Sequence, residues 1–328
     1  MSMPGGRMAK TFDYLVTGGA GFIGSNIVRE LVRRGCSVRV LDNLATGRME
    51  NLAGLEKRIR FLRGDVRDED AVRRAVRGVR FVIHAAALPS VVRSVEDPVE
   101  SNQVNACGTL RMLMASRDAC VERFVFSSSS SVYGGNPRLP KREDMLPEPL
   151  SPYAVQKLTS EHYCRIFHGL YGLKTFCLRY FNVYGPRQDP ASQYAAVIPR
   201  FISALRAGRR PVVYGDGLQT RDFTFVEDVV AANLRCCEVD GDAAGRVFNI
   251  ACGRRISLLK LLNILSDLLG TSVAPRHEPP RPGDVRHSQA DISLARKILG
   301  WSPGTSLEKG LEKTVEYFCS PPEAQGHA

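Results

Sequence analysis

The feature that most constrains this chain is a run of glycines set between an apolar strand and a helical pattern. Tyr14-Leu15-Val16 reads as a buried strand and runs directly into Thr17-Gly18-Gly19-Ala20-Gly21-Phe22-Ile23-Gly24. From Phe22 to Arg34 the apolar residues recur with helical spacing. The glycines at 18, 21 and 24 have G-x-x-G-x-x-G spacing. The first permits a sharp turn, the second lets the backbone approach a pyrophosphate, and the third lets the helix close on the strand. The amides that open the helix, at Phe22 and Ile23, then offer donors and a positive dipole end to phosphates. Such spacing alone is a weak signal; its place between strand and helix gives it weight.

The same rhythm continues through the first half. Val38 to Leu41, Arg60 to Leu62, Phe81 to Ile83, Phe124 to Phe126 and Thr175 to Leu178 read as strands. Helical stretches fall at Glu69 to Val76, Pro98 to Ala119 and Tyr153 to Tyr171. Strands separated by helices require crossovers, so the sheet is expected to be parallel and covered on both faces. This is an α/β, doubly wound (Rossmann) architecture, expected over residues 11–180. Beyond 180 the rhythm breaks at Gly185-Pro186, Pro199, Pro211, Gly215-Asp216-Gly217 and Pro279 to Gly283. Ser257 opens a helix whose Leu258, Leu261, Leu262, Leu265, Leu268 and Leu269 share one face. Residues 181–319 are expected to form a smaller C-terminal α/β region over the sheet's carboxyl edge, with some segments returning to the main sheet. Residues 1–10 and 320–328 read as flexible ends.

Composition narrows the function classes. The charge is 45 − 34 = +11, but the basic residues are 9 Lys and 36 Arg scattered along the chain. Without a basic stripe or an aromatic RNA motif, this reads as a surface that attracts anionic phosphates, not nucleic acid. The nine Cys form no Cys-x-x-Cys pair, and several sit in apolar runs as small core hydrophobes, so a reducing cytoplasm is expected. No apolar run approaches the roughly 18 residues of a membrane span, and Met1 to Lys10 lacks an apolar signal core. No metal-ligand spacing is present, and His84, after an apolar strand, reads as a packed, hydrogen-bonded residue.

Two further signals bear on chemistry. The second strand ends Val40-Leu41-Asp42, 18 residues after Gly24, where a carboxylate can hold both ribose hydroxyls of an adenosine. Its charge repels a 2′-phosphate, so NAD is expected over NADP, with Asn43 beside it and Asp65-Val66 flanking the adenine. Tyr153-Ala154-Val155-Gln156-Lys157 places a phenol and an ammonium on one helix face. The ammonium favours the phenolate and so is expected to lower the phenol's pKa, making it a base for a sugar hydroxyl. Ser127 to Ser131 follow the fifth strand, at the edge where ligands bind in such folds; one hydroxyl there can relay the proton.

Together these residues resemble an extended short-chain dehydrogenase/reductase of the NAD-dependent sugar epimerase/dehydratase family. The resemblance runs from about Tyr14 to Tyr317. It is carried by the glycine turn, Asp42, Gly64-Asp65-Val66, His84-Ala85-Ala86-Ala87, Asn105, the serine cluster, Tyr153/Lys157, Arg179-Tyr180-Phe181-Asn182-Val183-Tyr184-Gly185-Pro186, Arg221-Asp222 and Arg281-Pro282-Gly283-Asp284. The resemblance implies that Tyr153 is the base, Lys157 its electrostatic partner and Ser129 the aligned hydroxyl. It implies cofactor contacts from Ala85, Ala86, Ala87, Asn105 and Tyr180. Ser90, Ser130 and Asn182 would meet the nucleotide-sugar, Arg221 and Arg281 its diphosphate, Asp284 the nucleoside ribose, and Ala196, Val197 and Tyr214 the uracil.

The resemblance leaves several reactions. A 4,6-dehydratase of this family uses an Asp-Glu pair right after its catalytic Thr, where this chain has Ser130 and Ser131. A UDP-glucuronate decarboxylase carries a Glu before Val-Tyr-Gly, where this chain has Ser131. Epimerisation at C4 of a UDP-sugar needs no such pair and is the reading taken. Ser288, four after Asp284, is small where hexose-restricted epimerases carry an aromatic, which favours UDP-GlcNAc/UDP-GalNAc over UDP-Glc/UDP-Gal. Ser90-Val91-Val92-Arg93-Ser94 and Arg187-Gln188-Asp189-Pro190 point the same way, and Pro89 departs from the usual small residue. A non-catalytic dinucleotide-binding regulator or RNA-associated protein would be expected to have lost the Ser129/Tyr153/Lys157 set, which is intact. The family resemblance also implies a homodimer through the helices at 98–119 and 153–171.

Overall fold

The computed structural model describes residues 11–190, 196–239, 243–280 and 285–320. Its first half alternates strands with helices. The strands are β1 (Phe12–Thr17), β2 (Val38–Asp42), β3 (Ile59–Arg63), β4 (Val79–His84), β5 (Arg123–Ser129) and β6 (Lys174–Tyr180). Only a 3₁₀ turn at Met49–Leu52 lies between β2 and β3; elsewhere they are separated by helices. These are α1 (Phe22–Arg33), α2 (Glu69–Val76), α3 (Val91–Glu96), α4 (Pro98–Asn102), α5 (Gly108–Asp118) and α6 (Pro152–Tyr171). The rest of the chain supplies short strands β7 (Val183–Tyr184), β8 (Val212–Tyr214), β9 (Thr220–Arg221) and β10 (Thr224–Phe225). They are followed by β11 (Arg246–Ile250), β12 (Ile256–Ser257) and β13 (Arg276–Glu278). Its helices are α7 (Val197–Arg206), α8 (Val226–Glu238), α9 (Leu258–Leu268) and α10 (Leu307–Cys319).

Seven strands form one parallel sheet in the order β11-β6-β5-β4-β1-β2-β3. The middle strands are apolar without alternation because both their faces are covered. On one face Ile27 and Leu31 of α1 meet Val229 of α8 and Phe248 of β11. On the other, Val72 of α2, Met112 and Leu113 of α5 and Phe167 of α6 pack on Leu15, Val82 and Phe124. A third core joins α7, α9 and α10 through Phe201, Ile202, Leu261, Leu265 and Leu311. Strand β11 lies 66 residues beyond β6 in sequence and pairs with it as Phe248↔Leu178, so the main sheet draws its last strand from the C-terminal half.

Two local differences from the sequence reading affect the site. The stretch 98–119 is not one regular helix: Gln103–Cys107 is a π-helical turn between α4 and α5. There the carbonyl of Asn105 accepts the hydroxyls of Thr109 and Ser160 at 2.6 and 3.2 Å, and Gly108 lies so close to Val66 that a Cβ would stand 2.7 Å from its side chain. The serine cluster does not simply follow β5. Ser127, Ser128 and Ser129 are the end of the strand, paired with Leu178, Arg179 and Tyr180 of β6, and Ser130 opens a 3₁₀ turn. Helix α6 starts where Ser151 accepts from the Ala154 amide, with Pro152 at its first position, and stops at Gly172 in the left-handed conformation.

All nine cysteines are free thiols. Among the described residues, no helix is long and apolar enough to cross a membrane. Of the expected flexible ends, 1–10 and 320–328, all but Ser320 lie outside the described residues; the Ser320 amide donates to the Glu316 carbonyl at 2.9 Å.

The glycine turn is tightly built. Gly18 has φ +67°, and a Cβ on Gly24 would fall 2.1 Å from the Gly18 carbonyl oxygen. Gly24→Ala gains about 0.5–1 kcal/mol in helix propensity but loses about 1–3 kcal/mol to overpacking against backbone that cannot swing away. The variant is expected to be net destabilised in urea melts; equal or higher stability would show that the turn opens freely.

Candidate active site

The sheet order reverses between β1 and β4, which leaves a crevice at their carboxyl ends. A cavity of about 1510 Å³ occupies it. Gly18, Gly21, Phe22, Ile23 and Gly24 line one end. No side chain caps the start of α1 at Gly21, so the helix's first amides are donors facing the cavity, a cradle suited to a phosphate. Asp42 and Asn43 at the end of β2 and Val66 after β3 extend that end. The Asp42 carboxylate accepts from the amides of Ala20 and Leu44 at 2.9 and 2.8 Å, which fixes it beside the turn. Asp65 is not among the lining residues. It accepts from Asn43 Nδ2 at 2.7 Å and pairs with Arg67, and this holds its carboxyl down at about 2.

Ala85, Ala86 and Ala87 form the cavity's middle wall, and buried groups behind them set their position. The Thr109 hydroxyl donates to the Asn105 carbonyl, so it accepts from Nε2 of His84 at 3.0 Å. Nδ1 of His84 is then the acceptor for the Thr17 hydroxyl at 2.7 Å, and Thr17 accepts the Ala86 amide at 3.2 Å. Burial pushes the His84 imidazole down to about 3, so it is neutral. Asn105 does not reach the cavity. Its amide accepts from Leu88 N at 2.8 Å and donates to Gln156 Oε1 at 2.8 Å, bracing the loop from behind. The sequence reading placed Asn105 on the cofactor; the structure gives it a supporting place, because its polar atoms are spent on protein partners.

At the other end of the wall, Ser129, Ser130, Tyr153, Tyr180 and Asn182 line the cavity together. The Ser129 hydroxyl lies beside the Tyr153 phenol and favours its charged form. Tyr153 is set in place by its own amide, which donates to Ser94 Oγ of α3 at 3.1 Å. Ser90, also at the cavity, caps α3 by accepting from Arg93 N. Tyr180 turns its hydroxyl inward to Ser127 and Asn233. Asn182 has φ +35°, a conformation asparagine tolerates, and its amide donates to the Asp222 carbonyl at 3.0 Å.

Lys157 lies behind Tyr153, its ammonium 5.7 Å from the ring centroid and donating to the Ser127 carbonyl at 2.7 Å. The expectation of a depressed phenol is corrected here. Burial pushes Tyr153 up to about 12, with only the neighbouring Ser129 pulling it down. Burial also pulls Lys157 down to about 8. In the chain alone, desolvation dominates the phenol, and the ammonium is directed to the strand carbonyl.

The residues assigned to the nucleotide are not all gathered at this cavity. Ala196 lines it, while Val197, Tyr214, Arg221 and Ser288 do not. Arg221 and Ser288 meet along β9: Arg221 donates to the carbonyls of Thr220 and Arg286, and the Ser288 amide donates to Thr220 O at 3.0 Å. Tyr214 stacks under Arg200 at 5.7 Å. Arg281 and Asp284 lie outside the described residues. Spacing gave no sign of Arg48, whose guanidinium bridges 2.7 Å to Asp189 at the cavity's rim, nor of the buried Glu161–Arg179 pair, 2.7 Å apart. A four-residue step from Lys157 to Glu161, and an arginine inside the apolar strand β6, were the available signals for the second.

Residues 14–251 match the profile of the NAD dependent epimerase/dehydratase family. Over 308 residues the chain is 42% identical to a UDP-glucose 4-epimerase of Mycolicibacterium smegmatis, covering 93% of this chain and 97% of that one. It resembles the structure of a UDP-N-acetylglucosamine 4-epimerase of Methanobrevibacter ruminantium in complex with UDP-N-acetylmuramic acid, with 41% identity and a TM-score of 0.89, covering 95% and 99% of the two chains. It also resembles a UDP-glucose 4-epimerase of Thermus thermophilus in complex with NAD, with 39% identity and a TM-score of 0.84, covering 93% and 98%.

The buried imidazole makes a stability prediction. His84 lies at about 3 when folded against 6.5 as a free group, so between those values the unfolded chain holds the extra proton. This contribution is fully present above the free value and drains as pH falls, by up to about 1.4 kcal/mol per pH unit. Urea melts between pH 7 and pH 4 are expected to show a steeper loss for the native chain than for His84→Gln. Parallel curves would place the proton elsewhere.

Proposed function

As the chain belongs to the NAD dependent epimerase/dehydratase family, we propose that it inverts C4 of a UDP-sugar, with the UDP-GlcNAc/UDP-GalNAc pair as its preferred substrates. NAD is the cofactor, and when bound it supplies the hydride acceptor and donor for C4. The chain's own residues supply the rest. The glycine turn, the α1 amides and Asp42 fit a dinucleotide with an unmodified adenosine ribose. Tyr153 takes the proton of the 4-hydroxyl and later gives it back, and Ser129 holds that oxygen and steadies the phenol. Lys157, protonated, stabilises the phenolate from behind. Between the two proton transfers the 4-keto sugar presents its other face, and the enclosing cavity keeps water from it.

The observation that carries this reading is the Ser129–Tyr153 contact at the cavity wall with Lys157 directly behind it. The turn after β5 favours epimerisation over dehydration or decarboxylation: it holds Ser130 and Ser131, neither of which can act as the carboxylate those reactions require. The preference for the N-acetylated pair rests on the family resemblance at the small Ser288, which lies beside Thr220 and outside the cavity lining. For a dimer through α4–α6, the support is a set of exposed apolar side chains. Val155, Ile166 and Leu170 recur along one face of α6, with Met114 of α5 and Val99 of α4 also exposed.

Purified protein incubated with UDP-GlcNAc is expected to yield UDP-GalNAc, read from the anomeric NMR signals, and faster than UDP-Glc yields UDP-Gal. A 4-keto-6-deoxy or decarboxylated product would contradict the assignment. Tyr153→Phe is expected to lower kcat by roughly 10²–10⁴-fold while NAD stays bound; undiminished turnover would remove Tyr153 from its role. Leu170→Arg is expected to shift the species seen in sedimentation velocity from dimer to monomer, and an unchanged dimer would place the interface elsewhere.

A further inference from the structure

Helix α6 carries a third ionisable residue in line with the two already described. Tyr153, Lys157 and Glu161 recur every four residues and share one face. That face is tied, rung by rung, to three consecutive residues at the end of β5. The Ser129 hydroxyl lies beside the Tyr153 phenol and favours its charged form. The Ser127 carbonyl accepts from the Lys157 ammonium at 2.7 Å. The Ser128 hydroxyl donates to Glu161 Oε1 at 2.5 Å. From β6, Arg179 donates through Nε and Nη2 to the two oxygens of Glu161, at 2.9 and 2.7 Å. Lys157, Glu161 and Arg179 are all buried, at 3%, 4% and 3% exposure.

We propose that Glu161, locked by Arg179 and Ser128, is a positioning residue that keeps Lys157 charged and holds the strand-end serines in register with Tyr153. An ammonium this deeply buried is disfavoured by desolvation, and an anion one helical turn away offsets the cost. Beside the Ser127 carbonyl and the Phe126 ring 4.8 Å away, Glu161 is the foremost anion that favours the charged Lys157. From α6 the groups facing Lys157 are Tyr153, Cys164 and Glu161 itself. From β4 comes His84, neutral in its sealed pocket. From β6 comes Arg179, its charge matched by Glu161. Burial pulls Lys157 down to about 8, and the negative charge of Glu161 works against that pull. A buried ion pair is often no more stabilising than an apolar pair of the same volume, so stability alone does not account for it.

The consequence for turnover rests on the proposed epimerisation; the effect on Lys157 does not. The test is a pH titration of ¹³Cε-lysine-labelled protein by NMR, with Lys157→Arg to assign the resonance. Glu161→Gln is expected to move the Lys157 midpoint to lower pH by about one pH unit or more, and to move the alkaline limb of kcat/KM in the same direction. Glu161→Asp, which keeps the charge, is expected to restore the midpoint. Because Glu161→Gln leaves Arg179 an unpaired buried cation, Glu161→Gln/Arg179→Gln is measured beside it. With both charges removed it is expected to fold and still to titrate below the native midpoint. A purely structural role would lower stability and leave the midpoint in place, and that result in either folded variant overturns the proposal. A displaced midpoint in a protein that epimerises no UDP-sugar supports it and removes the proposed reaction instead.

Discussion

The register between the end of β5 and helix α6 is the constraint on which the rest of the site depends. Three successive serines meet three successive turns of one helix, and the groups they hold are a phenol, an ammonium and a carboxylate. A slip of one residue in the strand would send every side chain to the opposite face of the sheet. The strand is therefore pinned from both sides, by parallel pairing with β6 up to Ser129↔Tyr180 and by the buried pair of Glu161 and Arg179. The charges proposed to serve the chemistry are the same ones that fix the geometry.

The same economy holds at the cofactor end. The crevice exists because the sheet order reverses between β1 and β4, where Thr17 and His84 lie side by side. Their side chains, with Thr109 and Asn105, form a sealed polar chain that ends on the amide of Ala86. Groups sealed behind the cavity thus fix the backbone that lines it. The π-helical turn at Gln103–Cys107 belongs to this arrangement, since it frees the Asn105 carbonyl to take two hydroxyls from outside its own ladder.

Much of this was readable from the chain, and the boundary falls along a physical line. The helix at Glu69–Val76 and the strand around Leu15 carry their period in a few adjacent residues. The glycines at 18 and 24 announce a close approach that only one residue type allows. What escaped are pairings between distant segments, which leave no period. Arg48 with Asp189 and Glu161 with Arg179 are of this kind. So is the turning of Lys157 toward a strand carbonyl, since nothing in Tyr-x-x-x-Lys says which neighbour receives the ammonium. For Asn105 the motif gives a position, while burial decides which protein groups its side chain meets.

The central claim is that oxidation and reduction occur at one carbon, with the proton held by one phenol. It is tested most directly with UDP-GlcNAc carrying deuterium at C4, turned over in ordinary water. The account predicts UDP-GalNAc that retains the deuterium at C4 and takes up no solvent hydrogen on carbon. Loss of the label to water, or solvent hydrogen appearing at C5 or C6, would contradict it.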